Sequence, residues 1–147
     1  MSLMTVSVLG SGCIAMVFSF WKTRWIAKQE EGTDRMQSIG ASISEGAMAF
    51  LKAEYRVLSV FILVVAILLG LVNYQSGNHL ISLSFVVGAL ASGLAGFLGM
   101  RVATKANNRT THAARTGLAS ALNVAFTGGT VMGMSVVGLG VLGLGIL

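Results

Sequence analysis

Few side chains in this sequence can carry acid–base or metal chemistry: the carboxylates Glu30, Glu31, Asp34, Glu45 and Glu54, the imidazoles His79 and His112, and the thiol of Cys13. Glu30, Glu31 and Asp34 are near enough in sequence to converge on a cation. Carboxylates at a helix start serve more simply as a solvated cap against the positive end of the helix dipole. Phosphate chemistry with several magnesium ions requires many converging carboxylates, and a single Asp in the whole chain does not provide them. The two histidines fall in connectors on opposite sides of the membrane once the spans below are drawn, so they cannot share a metal, and each reads as a solvated loop residue. Cys13 has no second cysteine for a disulfide or a CxxC metal site. No residue is therefore assigned a catalytic, cofactor-binding or metal-binding role.

The basic residues are more numerous. Ten Lys and Arg against five Asp and Glu leave a net charge of +5, a balance that could suit nucleic acid. All ten, however, lie in two segments flanked by apolar runs, which is the pattern of cytoplasmic loops in membrane proteins. Nucleic acid is not expected as a partner. In the second segment Arg101, Lys105 and Arg109 follow one another at i+4, so in a helix they form one basic ridge, with Arg115 beyond. Such a ridge can orient the chain and touch anionic lipid, or meet phosphates or carboxylates of further protein.

The elements that position these groups are set by composition. Hydrophobic residues make up 54%, charged residues 10%, and mean hydropathy is +0.81. These values exclude a water-facing globule, and they reverse the low hydrophobicity and high charge of a disordered chain. A hydrocarbon core about 30 Å thick takes roughly 20 apolar residues in a helix. Four runs approach that length, at residues 4–21, 57–74, 80–100 and 118–147, and no proline interrupts them. Thirteen of the residues from 57 to 72 are Val, Leu, Ile or Phe, an insertion term of about −4 to −8 kcal/mol. Tyr55 and Tyr74 flank that span as interfacial anchors.

The expected fold is thus an all-α membrane protein with four transmembrane helices in one membrane domain. By the positive-inside rule the basic segments 22–56 and 101–117 are cytoplasmic, which places the N-terminus outside. The first span lacks the basic leading region of a cleaved signal and reads as an anchor. Closure of the chain within an apolar run, at Gly143 to Leu147, suggests a partial chain.

Within the first cytoplasmic segment, Met36, Ile39, Ile43, Ala47, Phe50 and Glu54 recur every three or four residues and predict an amphipathic helix. It begins near Gly32 or Thr33, pairs Glu31 with Arg35 at i+4, and continues as a stalk into the second span, since no Gly or Pro separates Phe50 from Val57. In the third span Gly88, Ser92 and Gly96 form one ridge of small residues and Ala91, Ala95 and Gly99 another, while the fourth carries Gly128, Gly129, Gly133, Gly138, Gly140, Gly143 and Gly145. Small residues at this spacing let helix backbones approach closely in lipid. Four helices are too few to cover so many notches, so further helices are expected.

Three strings resemble membrane-bound, ion-pumping pyrophosphatases: EGTDRMQSIGASISEGAMAFLKAEY at residues 31–55, GMRVATKANNRTTHAARTG at 99–117, and ALNVAFTGGTVMGMSVVGLGVLGL at 121–144. The resemblance implies the first four of about sixteen helices, in a homodimer that hydrolyses inorganic diphosphate with Mg2+ and moves H+ or Na+ outward. It implies a multi-pass location, the inner membrane in a bacterium. It leaves open which ion moves and whether K+ activates. The family's Asp-rich DxxxDxxxxK strings have no match here, so the chain alone is expected to be inactive. A complete small membrane scaffold without enzymatic activity is the competing reading. In a Cys13→Ser background, a cysteine replacing Thr110 is expected to react with an impermeant label only from the cytoplasmic side, and one replacing Ser76 only from outside.

Overall fold

The computed structural model describes residues 3–74 and 80–146. It contains four helices: α1 (Leu3–Ala27), α2 (Asp34–Val72), α3 (Leu80–Ala113) and α4 (Leu118–Ile146). All four are long and apolar enough to cross a membrane. The connector at 75–79, including His79 and Ser76, lies outside the described residues, as does Leu147. Helices α1, α2 and α3 outrun their apolar stretches on the polar side, because no proline stops the backbone and the polar continuation finds a neighbour to pack on, whereas α4 lies within its apolar run. The 39-residue α2 is unbroken and about 58 Å long at 1.5 Å per residue, so the amphipathic stretch from Asp34 and the second span form one rod.

Sequence neighbours are not all neighbours in space. α4 packs against both α1 and α3, α2 packs against α3 alone, and α1 barely meets α3. The shared helix is α4, whose buried positions Ala121, Val124, Val131 and Ser135 follow a three-and-four spacing along one face. Glycine sets the closeness of these contacts. A Cβ added at Gly138 would stand 3.2 Å from Cβ of Ala15, one at Gly12 would stand 2.8 Å from Cγ of Leu142, and one at Gly128 would stand 3.0 Å from Cβ of Ala106. Gly99 gives way in the same manner to Met132. The small-residue ridges are therefore partly used within this chain. At Gly88, Gly129, Gly133, Gly140 and Gly143 an added Cβ would meet nothing within 4 Å, so those notches remain open for other helices.

These contacts also fix levels along the bundle. Ser19, two residues before the end of the first apolar run, donates its hydroxyl to the Val131 carbonyl at 3.5 Å, and Gly99, at the end of the third run, faces Met132. Two independent neighbours thus bring α4 through the same plane near residue 131. The apolar run at 118–147, some 45 Å long as helix, exceeds the bilayer core, and its first dozen residues stand beside the polar end of α3 instead. There Leu118, Leu122 and Phe126 remain exposed.

Three local expectations are corrected. Residues 101–113 are not a loop but the continuation of α3, stabilised where Val102 and Ala106 bury against α1 and α4. The expected apolar face of the α2 stalk is not what packs: Gly40 and Leu51 are its buried positions, and Ile39, Ile43 and Phe50 stay exposed. The reason is the closeness of α3, since a Cβ on Gly40 would come within 3.1 Å of the Asn108 side chain. Tyr55 does not point to headgroups. Its hydroxyl donates to the Gly93 carbonyl of α3 and lies 3.2 Å from where a Gly96 Cβ would be.

In the complete protein, Gly138→Leu should destabilise by about 1–3 kcal/mol through overpacking against α1, read as a lowered unfolding midpoint in detergent. Gly133→Leu should leave the α1–α3–α4 packing of this chain unchanged and weaken only contacts with other helices, read by disulfide crosslinking between α1 and α4.

Candidate functional site

The polar ends of α1, α2 and α3 converge on the six-residue connector 28–33. α1 stops where Lys28 and Gln29 donate their backbone N–H groups to the carbonyls of Trp25 and Ile26, at 3.2 and 3.0 Å. The chain then reverses through Gly32, whose φ of +85° is a left-handed conformation that costs a side-chain-bearing residue energy. Gln37, in the first turn of α2, reaches back and donates through its side chain to the Gly32 carbonyl at 3.0 Å.

Arg109 of α3 holds this connector. Its side chain is 7% exposed, and its guanidinium is satisfied on three sides. Nε donates to the Gln29 carbonyl at 3.2 Å, Nη1 donates to the Lys105 carbonyl at 2.7 Å, and Nη2 pairs with the Glu31 carboxylate. A buried charge without partners would be costly, and the planar five-donor fork of arginine suits three acceptors in different directions in a way a lysine ammonium does not. One turn further, His112 donates from Nε2 to Glu30 Oε2 at 2.8 Å. Its Nδ1 is buried without a partner, 3.2 Å from where a Cβ on Gly32 would stand. A larger residue at position 32 would therefore fail on conformation and on space.

This geometry revises several readings of the sequence. Glu31 pairs with Arg109, not Arg35, because it precedes the helix and has no i+4 relation on a helical surface. Glu30 and Glu31 remain solvent-accessible but each pairs with α3 and does not cap a helix, and Asp34 alone occupies the first turn of α2. His112 is not a free loop residue. The basic ridge is divided: Arg101 and Lys105 are exposed, whereas Arg109 is buried. Sequence reasoning missed the Arg109 clasp because its partners lie 78 and 80 positions away.

The clasp can position helices, but its donor set does not suit a metal. Among the described residues no three His, Cys, Asp or Glu side chains come together, and the two nearest carboxylates are engaged by Arg109 and His112. Toward the bilayer a belt of cations stacks on aromatic rings. Lys22 lies 5.2 Å from the Trp21 ring centroid and 5.5 Å from that of Trp25, Arg24 lies 4.5 Å from Phe20, and Arg101 lies 5.7 Å from Phe97. Such pairs are favourable where an apolar surface meets water.

The family model described as inorganic H+ pyrophosphatase matches residues 13–147. A Clostridium tetani protein named as a K+-stimulated pyrophosphate-energized sodium pump is 50% identical over 134 residues, which is 90% of this chain and 19% of the relative. A K+-insensitive pyrophosphate-energized proton pump of Moorella thermoacetica is 42% identical over 124 residues, 84% of this chain and 18% of the relative. A K+-insensitive pyrophosphate-energized proton pump of Pyrobaculum aerophilum is 36% identical over 141 residues, 92% of this chain and 19% of the relative. The chain spans about a fifth of the length of these curated relatives.

Glu31→Gln should loosen the connector while leaving the helices in place. With Glu31 itself half-exposed, the loss is about 1.5 kcal/mol, below the range for fully buried pairs. Limited trypsin cleavage after Lys28 should then accelerate roughly tenfold, and no change in that rate would show that the ion pair does not hold the connector.

Proposed function

Because the chain belongs to the inorganic H+ pyrophosphatase family, we propose that it is the N-terminal bracing part of a membrane pump that couples hydrolysis of inorganic diphosphate to outward movement of H+ or Na+. The match over residues 13–147 together with four membrane-length helices carries this reading. The chain is a multi-pass integral membrane protein of that family. The competing reading, a small scaffold unrelated to catalysis, gains nothing from a match that runs along nearly the whole chain.

The proposed division of labour follows from the side chains present. Magnesium would supply charge neutralisation of diphosphate in the complete pump, but the carboxylates of this chain do not fit such a site: among the described residues no three converge, and Glu30 and Glu31 are paired at the clasp. The hydrolytic centre and the ion gate are then the work of the rest of the protein. What this chain contributes is rigidity. The long α2 rod, the extended α3 and the Arg109 clasp hold the cytoplasmic ends of three helices at fixed spacing, beside which a closing hydrolytic site could push.

A homodimer, K+ activation and the cytoplasmic position of the clasp belong to the same proposal. The sequence relatives are named both as sodium and as proton pumps, so similarity along this stretch does not select the ion. Phosphate release is the test. The purified 147-residue chain should liberate none from Mg2+-diphosphate, and the complete protein should do so in proportion to ion uptake into vesicles. A complete protein that folds, carries its downstream sequence and releases no phosphate from diphosphate would refute the proposal.

A further inference from the structure

A groove of about 420 Å³ runs between α1 and α3 with α4 as its floor. Its two ends differ in chemistry. At one end stand Arg101 and Lys105, one turn apart on α3, facing Thr23 of α1; at the other, about two turns along both helices, stand Met16 and Leu98. The polar end lies in the belt of aromatic-stacked cations, and the apolar end lies deeper in the spans. Among the described residues no carboxylate pairs with Arg101 or Lys105, and both line the slot. In its floor Ser135 is only 4% exposed, and its hydroxyl makes no hydrogen bond among the described residues. A nearly buried spare donor beside a cationic mouth and an apolar tail is a built site for an amphiphile.

The direction of the groove selects the source of that amphiphile. On α4 the open notch at Gly133 lies roughly 160° around the helix from Ser135, at 100° per residue. The face stripped of bulk at Gly133 therefore points away from the groove, and the groove side of α4 lacks that notch for a close-packed helix, which favours a lipid as the occupant. We propose that it binds one anionic phospholipid. The phosphate sits on Arg101 and Lys105, a glycerol ester carbonyl accepts from Ser135, and the upper acyl chain lies on Phe20, Met16 and Leu98. Basic pockets between membrane helices recognise anionic headgroups in this way.

The test uses the complete protein, delipidated in detergent, with phosphatidylglycerol or phosphatidylcholine added back and bound lipid counted by native mass spectrometry. The wild type should retain phosphatidylglycerol in preference to phosphatidylcholine, and millimolar inorganic phosphate should not displace it. Arg101→Gln or Lys105→Gln should weaken retention about fivefold each, and the double variant about twenty-five-fold. The charge-preserving exchange Arg101→Lys with Lys105→Arg should retain the lipid. Equal retention by the wild type and the neutral double variant, equal retention of both lipids, displacement by phosphate, or no retention by the wild type would each overturn the proposal. The readout is lipid mass and not hydrolysis, so failure here leaves the proposed pump function standing.

Discussion

Lipid gives helices no hydrophobic reward for leaving it, so their association rests on close van der Waals packing and on polar groups that find partners. In this chain that constraint is met at α4. Where Gly138 faces Ala15, Gly128 faces Ala106 and Gly99 faces Met132, the absence of a side chain brings backbone within contact distance of the neighbour. Helix α4 thereby joins α1 to α3, and α2 is attached only through α3. In water so many glycines would weaken a helix by roughly 1 kcal/mol each. In a bilayer, where an exposed backbone polar group has no water to bond, the helix is held by its own hydrogen bonds and the glycines serve packing.

Outside the hydrocarbon the packing rule changes, and the chain changes with it. The apolar beginning of α4 covers the polar end of α3, and Arg109 turns from that end to bind the α1–α2 connector through Gln29 and Glu31. A guanidinium buried at this point cannot be half satisfied without cost, so the connector has little freedom to drift. The same residue spacing that makes a basic ridge on paper thus yields two different chemistries. Arg101 and Lys105 stay available for an anionic group, while Arg109 is consumed by the fold.

Under the proposed function this arrangement has a use. Coupling a hydrolytic site to an ion path requires elements that move against something that does not. Three helices tied at their polar ends by a buried ion pair, and an α4 interlocked with α1 and α3 by glycine contacts, supply such a frame. Open notches at Gly129, Gly133 and Gly140 show which face the frame offers to further helices.

Four apolar helices, the unbroken α2 stalk and the family itself were legible from the sequence, because hydropathy, the lack of proline and contiguous strings are local properties that a chain displays before it folds. The small-residue ridges were legible as a pattern but not as contacts: the notches at Gly128 and Gly138 are filled and that at Gly133 is open, which depends on where α1 and α3 lie. Likewise nothing local distinguishes Arg109 from Arg101, or assigns Glu31 to a partner 78 positions away rather than to Arg35. Nor does hydropathy show that the long apolar run of α4 starts beside a polar helix. Those outcomes were decided by tertiary structure, since register between antiparallel helices sets which groups share a level, and a charge takes the partner that burial puts within reach.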